Sequence, residues 1–326
     1  MNNRIYLDYN ATTPCDQRVL DYMMPFFCEN FGNPSSAHHS YGWLAKAYIT
    51  DSSSVIARTL GISVDDIIYT SGATESINMI LKSFSSKFEL GGNHIITCKT
   101  EHKAVLDTCD FLERYEGVSM TYLDVQANGM IDLEQLKQAI RPETILVSIM
   151  HSNNETGIIQ PLKQIREIIK GKGIYLFSDA TQSLGKIDLE DVFSTVDFAC
   201  FSAHKLYGPI GIGLVYGKNR SDSQIIRNFI QGGGQQKKIR GGTLNTPAIA
   251  GFSKAIEISY ADLKKEGQHF IDMRNQLESG LLEIEESYSN SRTTERLPNT
   301  LNISFAYVDG FKLLSALSKS MAVSNG

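Results

Sequence analysis

Long apolar runs are missing from this 326-residue chain. None approaches the ~20 residues that a membrane-crossing helix needs, so no membrane contact is expected. A strong excess of either charge is also missing: 31 Lys and Arg stand against 36 Asp and Glu, for a net charge of -5. That balance argues against a nucleic-acid surface, and the basic stretch Lys237, Lys238, Arg240 is too short to change it. Cysteine is sparse. Cys15, Cys28, Cys98, Cys109 and Cys200 are scattered and odd in number, with no C-x-x-C pair. A disulfide scaffold or structural zinc site is not expected, and no metal site is read. Cys98 and Cys200 lie in apolar runs and read as core residues; no neighbouring sequence singles out any of the five as a nucleophile. The opening "MNNRIYLDYNATTP" lacks the charged start and apolar core of a secretory signal, so the expected compartment is the cytoplasm.

What is present suits a folded domain with a large core: 42% of the residues are hydrophobic and 21% charged. There is no internal repeat or low-complexity segment. Strands are expected at 66–70, 94–98, 145–150, 174–178, 197–202 and 212–217, and amphipathic helices at 73–86, 103–115 and 161–171. Short β-branched runs alternating with helices predict an α/β fold, a mostly parallel sheet covered on both faces. From about residue 246 the pattern changes to a long helical stretch over 247–285, a strand-like "NTLNISFAY" at 299–307 and a helix at 310–319. A smaller domain is expected there, joined by the N-terminal segment.

Ligands of such sheets sit beyond the carboxyl ends of the strands, and four polar clusters fall at that edge. "TSGATES", 70–76, follows a strand and opens a helix. Gly72 allows a sharp turn there, and the amides of Ala73 and Thr74 can bind an anion such as a phosphate. The same residues also read as simple capping by Ser71 or Thr74. In "SDATQ", Asp179 ends an apolar strand, either as a cap for the next turn or as an acid that keeps a ring nitrogen protonated. In "TEHKAV", His102 reads as a hydrogen-bonding residue or as a catalytic one. In "HSNNETG", the asparagines form a turn, or Asn154 holds a substrate group.

A further signal is a lysine. In "SAHKLYGPIGIG", Lys205 follows a buried-looking strand and has Ser202 and His204 beside it. An exposed surface lysine is the plain reading. A partly desolvated lysine, however, loses its proton readily and acts as a nucleophile. A phosphate site, a carboxylate for a ring nitrogen and a reactive lysine on one sheet edge suit pyridoxal 5'-phosphate.

"YLDYNATTP", "FGNPSSAH", "TSGATES", "TEHKAVLDTC", "ILVSIMHSNNETG", "SDATQSLGK", "SAHKLYGPIGIG" and "GGGQQKKIRGGTLNTP" occur in this order. Together they resemble the class V, fold-type I pyridoxal-phosphate enzymes, most of all the cysteine desulfurases of iron–sulfur cluster assembly. The resemblance runs from about residue 5 to residue 326. It implies a large cofactor-binding domain over 15–250 and a small α/β domain of 1–14 with 251–326, its C-terminal part missing. It also implies a mostly parallel mixed sheet flanked by helices. Lys205 would carry the cofactor covalently, Asp179 would pair with the pyridine nitrogen, Gln182 would contact the ring hydroxyl, and His102 would stack on the ring and shuttle protons. Thr74, Ser202, His204 and the amide of Ala73 would hold the phosphate. Asn154 would lie near the substrate, and Thr243 would reach the phosphate in the neighbouring subunit of a homodimer.

The implied reaction converts L-cysteine to L-alanine and passes the sulfur, as an enzyme persulfide, to an iron–sulfur scaffold protein and tRNA-thiolation proteins. A selenocysteine lyase, an aminotransferase of the same class and a non-catalytic cofactor-binding chain are the alternatives. In the family, the final "SMAVSNG" runs on into a mobile loop bearing the nucleophilic cysteine. None of the five cysteines matches it, so a truncated chain that forms no persulfide is expected.

Overall fold

A computed structural model describes residues 4–85, 91–218, 225–292 and 295–325. The chain opens with strand β1 (Ile5–Tyr6), helices α1 (Gln17–Met23) and α2 (Pro25–Cys28), and the long α3 (Ser40–Leu60). Strands and helices then alternate: β2 (Ile67–Thr70), α4 (Ala73–Ser83), β3 (His94–Cys98), α5 (Lys103–Glu116), β4 (Ser119–Leu123), α6 (Leu133–Ala139), β5 (Thr144–Ser148), α7 (Leu162–Ile169), β6 (Tyr175–Asp179), α8 (Glu190–Thr195), β7 (Phe198–Ser202) and β8 (Gly213–Gly217). The last part holds α9 (Thr246–Ala261), α10 (Leu263–Leu281), β9 (Ser287–Ser289), β10 (Ile303–Phe305), α11 (Gly310–Leu317) and β11 (Met321–Ala322).

Strands β2 to β8 form one seven-stranded sheet in the order β2-β8-β7-β6-β5-β3-β4. β8 is antiparallel to both its neighbours, and the other pairs are parallel. Six strands therefore end at one edge of the sheet, and β8 begins there. Side chains of period two explain why the strands read as continuous apolar runs. Ile67, Ile96, Val147, Leu176, Ala199 and Leu214 face one core, while Ile68, Ile95, Leu146, Phe177, Phe198 and Val215 face the other. The first core also takes in α3 and α9; the second takes in α4 and α5.

Two elements depart from the sequence expectation. β4 was not foreseen, because "SMTYL" is an edge strand with only half-buried residues before Leu123 and lacks an apolar run. The expected helix over 247–285 is two helices, since Asp262 leaves the helical conformation (φ -125°, ψ 22°) between α9 and α10. The helix expected over 73–86 ends at Ser83, and residue 86 lies outside the described residues. Residue 250, the expected end of the large domain, falls inside α9, whose buried residues up to Ile256 belong to the first core. β1 pairs in parallel with β11, tying the N-terminal segment to the last described residues. No helix among the described residues is long and apolar enough to cross a membrane.

Candidate active site

The carboxyl ends of β2, β3, β5, β6 and β7 open onto a cleft of about 2410 Å³, which residues of α10, α11 and the β10 strand also line. Each cluster foreseen on this edge contributes to its wall, for reasons that lie in the local chain geometry.

β2 ends at Thr70 and α4 starts at Ala73. Between them Gly72 adopts φ 155° and ψ -179°, a region open only to glycine. Gly213, at the start of β8, passes close beneath: a Cβ there would come within 2.7 Å of Gly72 Cα. Neither Ser71 nor Thr74 caps α4: among the described residues no side chain accepts from its N-terminal amides. Ala73 and Thr74 thus bring an uncapped helix start to the cleft wall, where a helix dipole favours an anion. Ser202 Oγ lies 3.7 Å from where a Gly72 Cβ would stand. Glu75, in the same first turn, is neutralised by Arg240 Nε at 2.9 Å and accepts from the Ser71 amide at 2.8 Å.

Asp179 ends β6 and caps the turn that follows. Its Oδ1 accepts from the Thr181 amide at 2.9 Å and from Cys200 Sγ at 3.5 Å. Its Oδ2 takes no hydrogen bond among the described residues, although the residue is only 7% exposed and lines the cleft. His102 caps α5: its Nδ1 accepts from the Ala104 amide at 3.0 Å, and the residue lines the cleft. In the 151–157 turn the two asparagines divide the work. Asn153 Oδ1 accepts from the Glu155 and Thr156 amides and builds the turn, while Asn154 lines the cleft.

Lys205 lies in the single 3₁₀ turn after β7. Its Nζ donates to the carbonyl oxygens of Asn10 at 2.6 Å and Ala11 at 2.7 Å, and no carboxylate pairs with it among the described residues. Burial lowers its pKa below the ordinary lysine value, while Asp179 and Asp8 oppose that shift. His204 Nδ1 pairs with Thr12 Oγ1 at 3.1 Å, and burial followed by the Lys205 charge lowers its pKa. The N-terminal segment is stitched to this turn. Thr13 donates its amide and its hydroxyl to His204 O, each at 2.9 Å, and Thr13 Oγ1 accepts from the Tyr207 amide at 2.7 Å.

Ala73, Thr74, His102 and Asn154 thus share the cleft with Asp179, Gln182, Ser202, His204 and Lys205. Thr243 does not: it is exposed, outside the cleft lining. Its loop is pinned to the sheet edge by Gln236, whose side-chain amide exchanges hydrogen bonds of 2.7 and 2.8 Å with the Tyr69 main chain. Several contributors were not foreseen. The Asn10 and Ala11 carbonyls and Arg240 act through contacts distant in sequence, and Lys186 acts through Gln182 four residues before it. Glu101 is 6% exposed, accepts from the Met150 amide at 2.5 Å on Oε1, and has no partner for Oε2.

An unpaired lysine, a half-satisfied aspartate and an uncapped helix start on one edge define the class of enzyme that holds a phosphorylated aromatic aldehyde through lysine. The comparisons agree. The class-V aminotransferase family model matches residues 5–326. A cysteine desulfurase IscS of Anaeromyxobacter sp. (strain Fw109-5) is 43% identical over 323 residues, covering 99% of this chain and 79% of the relative. The cysteine desulfurase IscS of Histophilus somni (strain 2336) is 45% identical over 324 residues, with 99% and 80% covered. Among solved structures, a NifS-like protein matches with a TM-score of 0.91 and 41% identity over 97% of this chain and 85% of its own. SspA in complex with cysteine matches with a TM-score of 0.85 and 36% identity over 99% and 89%. The chain belongs to the class-V aminotransferase family, among its cysteine desulfurases, and its cofactor is pyridoxal 5'-phosphate.

Proposed function

We propose that the cleft holds pyridoxal 5'-phosphate on Lys205 and acts on L-cysteine, and that each expected site residue has the following part. The first-turn amides of Ala73 and Thr74, with the Thr74 and Ser202 hydroxyls and the His204 imidazole, hold the phosphate. Asp179 Oδ2 accepts the ring-nitrogen proton and keeps it in place. Gln182 donates to the ring hydroxyl, and His102 covers the ring. Asn154 orients the substrate. When bound, the cofactor supplies the electron sink for bond breaking at the substrate Cα. Lys205, with its pKa lowered by burial, takes that Cα proton on Nζ once the substrate has displaced it, and His102 Nε2 moves a proton on the other side. The observation that carries this reading is Asp179 Oδ2, an acceptor with no hydrogen bond among the described residues, on a residue that lines the same cleft as an amine without a carboxylate.

Sulfur transfer also needs a thiolate. None of the five cysteines lines the cleft, and burial raises the pKa of Cys98, Cys109 and Cys200. These five thiols are accordingly not assigned as sulfur acceptors. Thr243, exposed and away from its own cleft, serves the phosphate site of a second copy, and the working unit is a homodimer. Exposed Phe27, Phe31, Tyr41 and Trp43 give that partner an apolar surface to cover. Unpaired cysteines suit the reducing cytoplasm, and the downstream acceptors are an iron–sulfur scaffold and other sulfur-accepting proteins. The same reading divides the chain into a large domain over 15–250 and a small domain of 1–14 with 251–326. The test adds L-cysteine to the cofactor-loaded chain. The visible band should shift, with no persulfide on any of the five cysteines. A labelled persulfide with robust L-alanine release would overturn the assignment of the thiols; amino transfer to a 2-oxo acid would favour an aminotransferase.

A further inference from the structure

Gln182 is a side chain whose two ends have opposite hydrogen-bonding character, so its usefulness depends on which way the amide points. Two neighbours settle that. Lys186 Nζ lies 2.7 Å from Gln182 Oε1, and an ammonium has only donors. Asn10 O lies 2.9 Å from Gln182 Nε2, and a carbonyl only accepts. Both contacts demand the same orientation. Nε2 carries two protons, and Asn10 takes one, which leaves the second for the cleft that Gln182 lines.

Lys186 is built into this place rather than draped over the surface. Gly185 before it takes φ 73°, and a Cβ at that position would approach Ser259 Oγ to 2.9 Å and Leu206 Cβ to 3.1 Å. The turn that returns Lys186 towards Gln182 therefore needs glycine. No carboxylate pairs with Lys186 among the described residues, and its hydrogen-bond acceptor is the Gln182 amide oxygen. Burial, with the Lys205 charge nearby, lowers its pKa to about 7. A desolvated amine without a counter-ion costs stability, which makes it a poor choice for a purely structural position.

We propose that Lys186 is a positioning residue that fixes the Gln182 amide so that Nε2, not Oε1, faces the cofactor's ring hydroxyl. This rests on the reading of Lys205 and Gln182 given above. With Lys186 gone, the orientation rests on the Asn10 carbonyl alone, and the share of amides that turn presents an acceptor to the ring oxygen. Losing a donor to that oxygen makes the lysine–cofactor link hold its proton more tightly.

The test is a pH titration of the visible absorption band of the cofactor-loaded chain. Lys186→Met should raise the apparent pKa of the band by ~0.5 unit or more. Lys186→Arg, also donor-only, should return it most of the way to wild type. Gln182→Leu should shift it upward too, and the double variant should move little beyond Gln182→Leu, because the two residues act through one contact. An unshifted band in Lys186→Met, or fully additive shifts, would overturn the role of Lys186. Should Lys186→Met not fold, Lys186→Gln takes its place with the same outcomes. Borohydride reduction of each variant separates the two levels: a Lys205 adduct with an unshifted band overturns only Lys186, whereas no adduct in wild type overturns the cofactor reading and this inference with it.

Discussion

The amine of Lys205 lies 2.6 Å from the carbonyl oxygen of Asn10, 195 residues earlier in the chain. A second carbonyl, that of Ala11, lies at 2.7 Å. Neutral acceptors hold the lysine in place without stabilising its charge as a carboxylate would, so burial prevails and the pKa falls. A lowered pKa means a larger share of neutral amine at pH 7 to 8. In the cofactor-free chain, Lys205 is therefore expected to react with an amine-directed reagent at lower pH than Lys137 or Lys163, which are exposed in ion pairs. Site-resolved mass spectrometry across a pH series reads this directly, and a Lys205 profile matching the surface lysines would speak against it.

Asp179 should matter to chemistry far more than to folding. Asp179→Asn keeps an acceptor for the Thr181 amide but cannot hold a proton on the ring nitrogen. Exchange of the substrate Cα hydrogen with deuterated solvent, a step that needs no sulfur-accepting thiol, should slow by at least ~10²-fold. Near-normal exchange in a folded Asn variant would remove Asp179 from the mechanism.

Much of this site was legible because its pieces are local in sequence. Gly72 before Ala73, Asp179 at the end of an apolar run and Lys205 after another each announce themselves within a few residues. The parallel sheet follows from the same alternation of runs and helices, and two fully buried faces explain why those runs are so uniformly apolar. The partners of these residues were not legible. Asn10 presents a main-chain carbonyl, which no side-chain pattern encodes. Gln236 imitates a strand across 167 residues of sequence. Lys186 resembles any lysine until Gly185 turns it back. β4 was missed because a half-exposed edge strand has no apolar run to find.

The proposed homodimer gives a complementation test. A Lys205→Ala chain mixed with a Thr243→Ala chain should yield hybrid dimers with one undamaged site, and cofactor binding should recover in the mixture. If Thr243→Ala binds the cofactor as tightly as wild type, Thr243 is a turn residue and no more.

Stability should depend on pH through buried groups of opposite sense. His94 is enclosed between Thr144 Oγ1 at 2.7 Å and Thr121 Oγ1 at 2.9 Å. Burial, aided by Arg141, lowers its pKa from 6.5 to about 4, and burial lowers that of His151 to about 4 as well. Between those limits the unfolded chain binds protons that the folded chain refuses, so stability is lost as pH falls from 6.5 towards 4. Glu101 works in the opposite sense. Burial raises its pKa well above 4.5, so the folded chain keeps a proton that the unfolded chain releases, and stability is lost as pH rises above 4.5. Urea midpoints across pH should show Glu101→Gln gaining on wild type as pH rises, since the amide keeps an oxygen for Met150 and has no proton to lose. A constant difference between the two would refute a neutral Glu101.

The most direct measurement is where the cofactor attaches. Pyridoxal phosphate added to the chain should give a yellow protein whose visible band disappears on reduction with sodium borohydride. Peptide mapping should then place the reduced cofactor on Lys205, and Lys205→Ala should fold but retain no covalent cofactor. Attachment at Lys186 or any other lysine, or no attachment at all, would contradict the account.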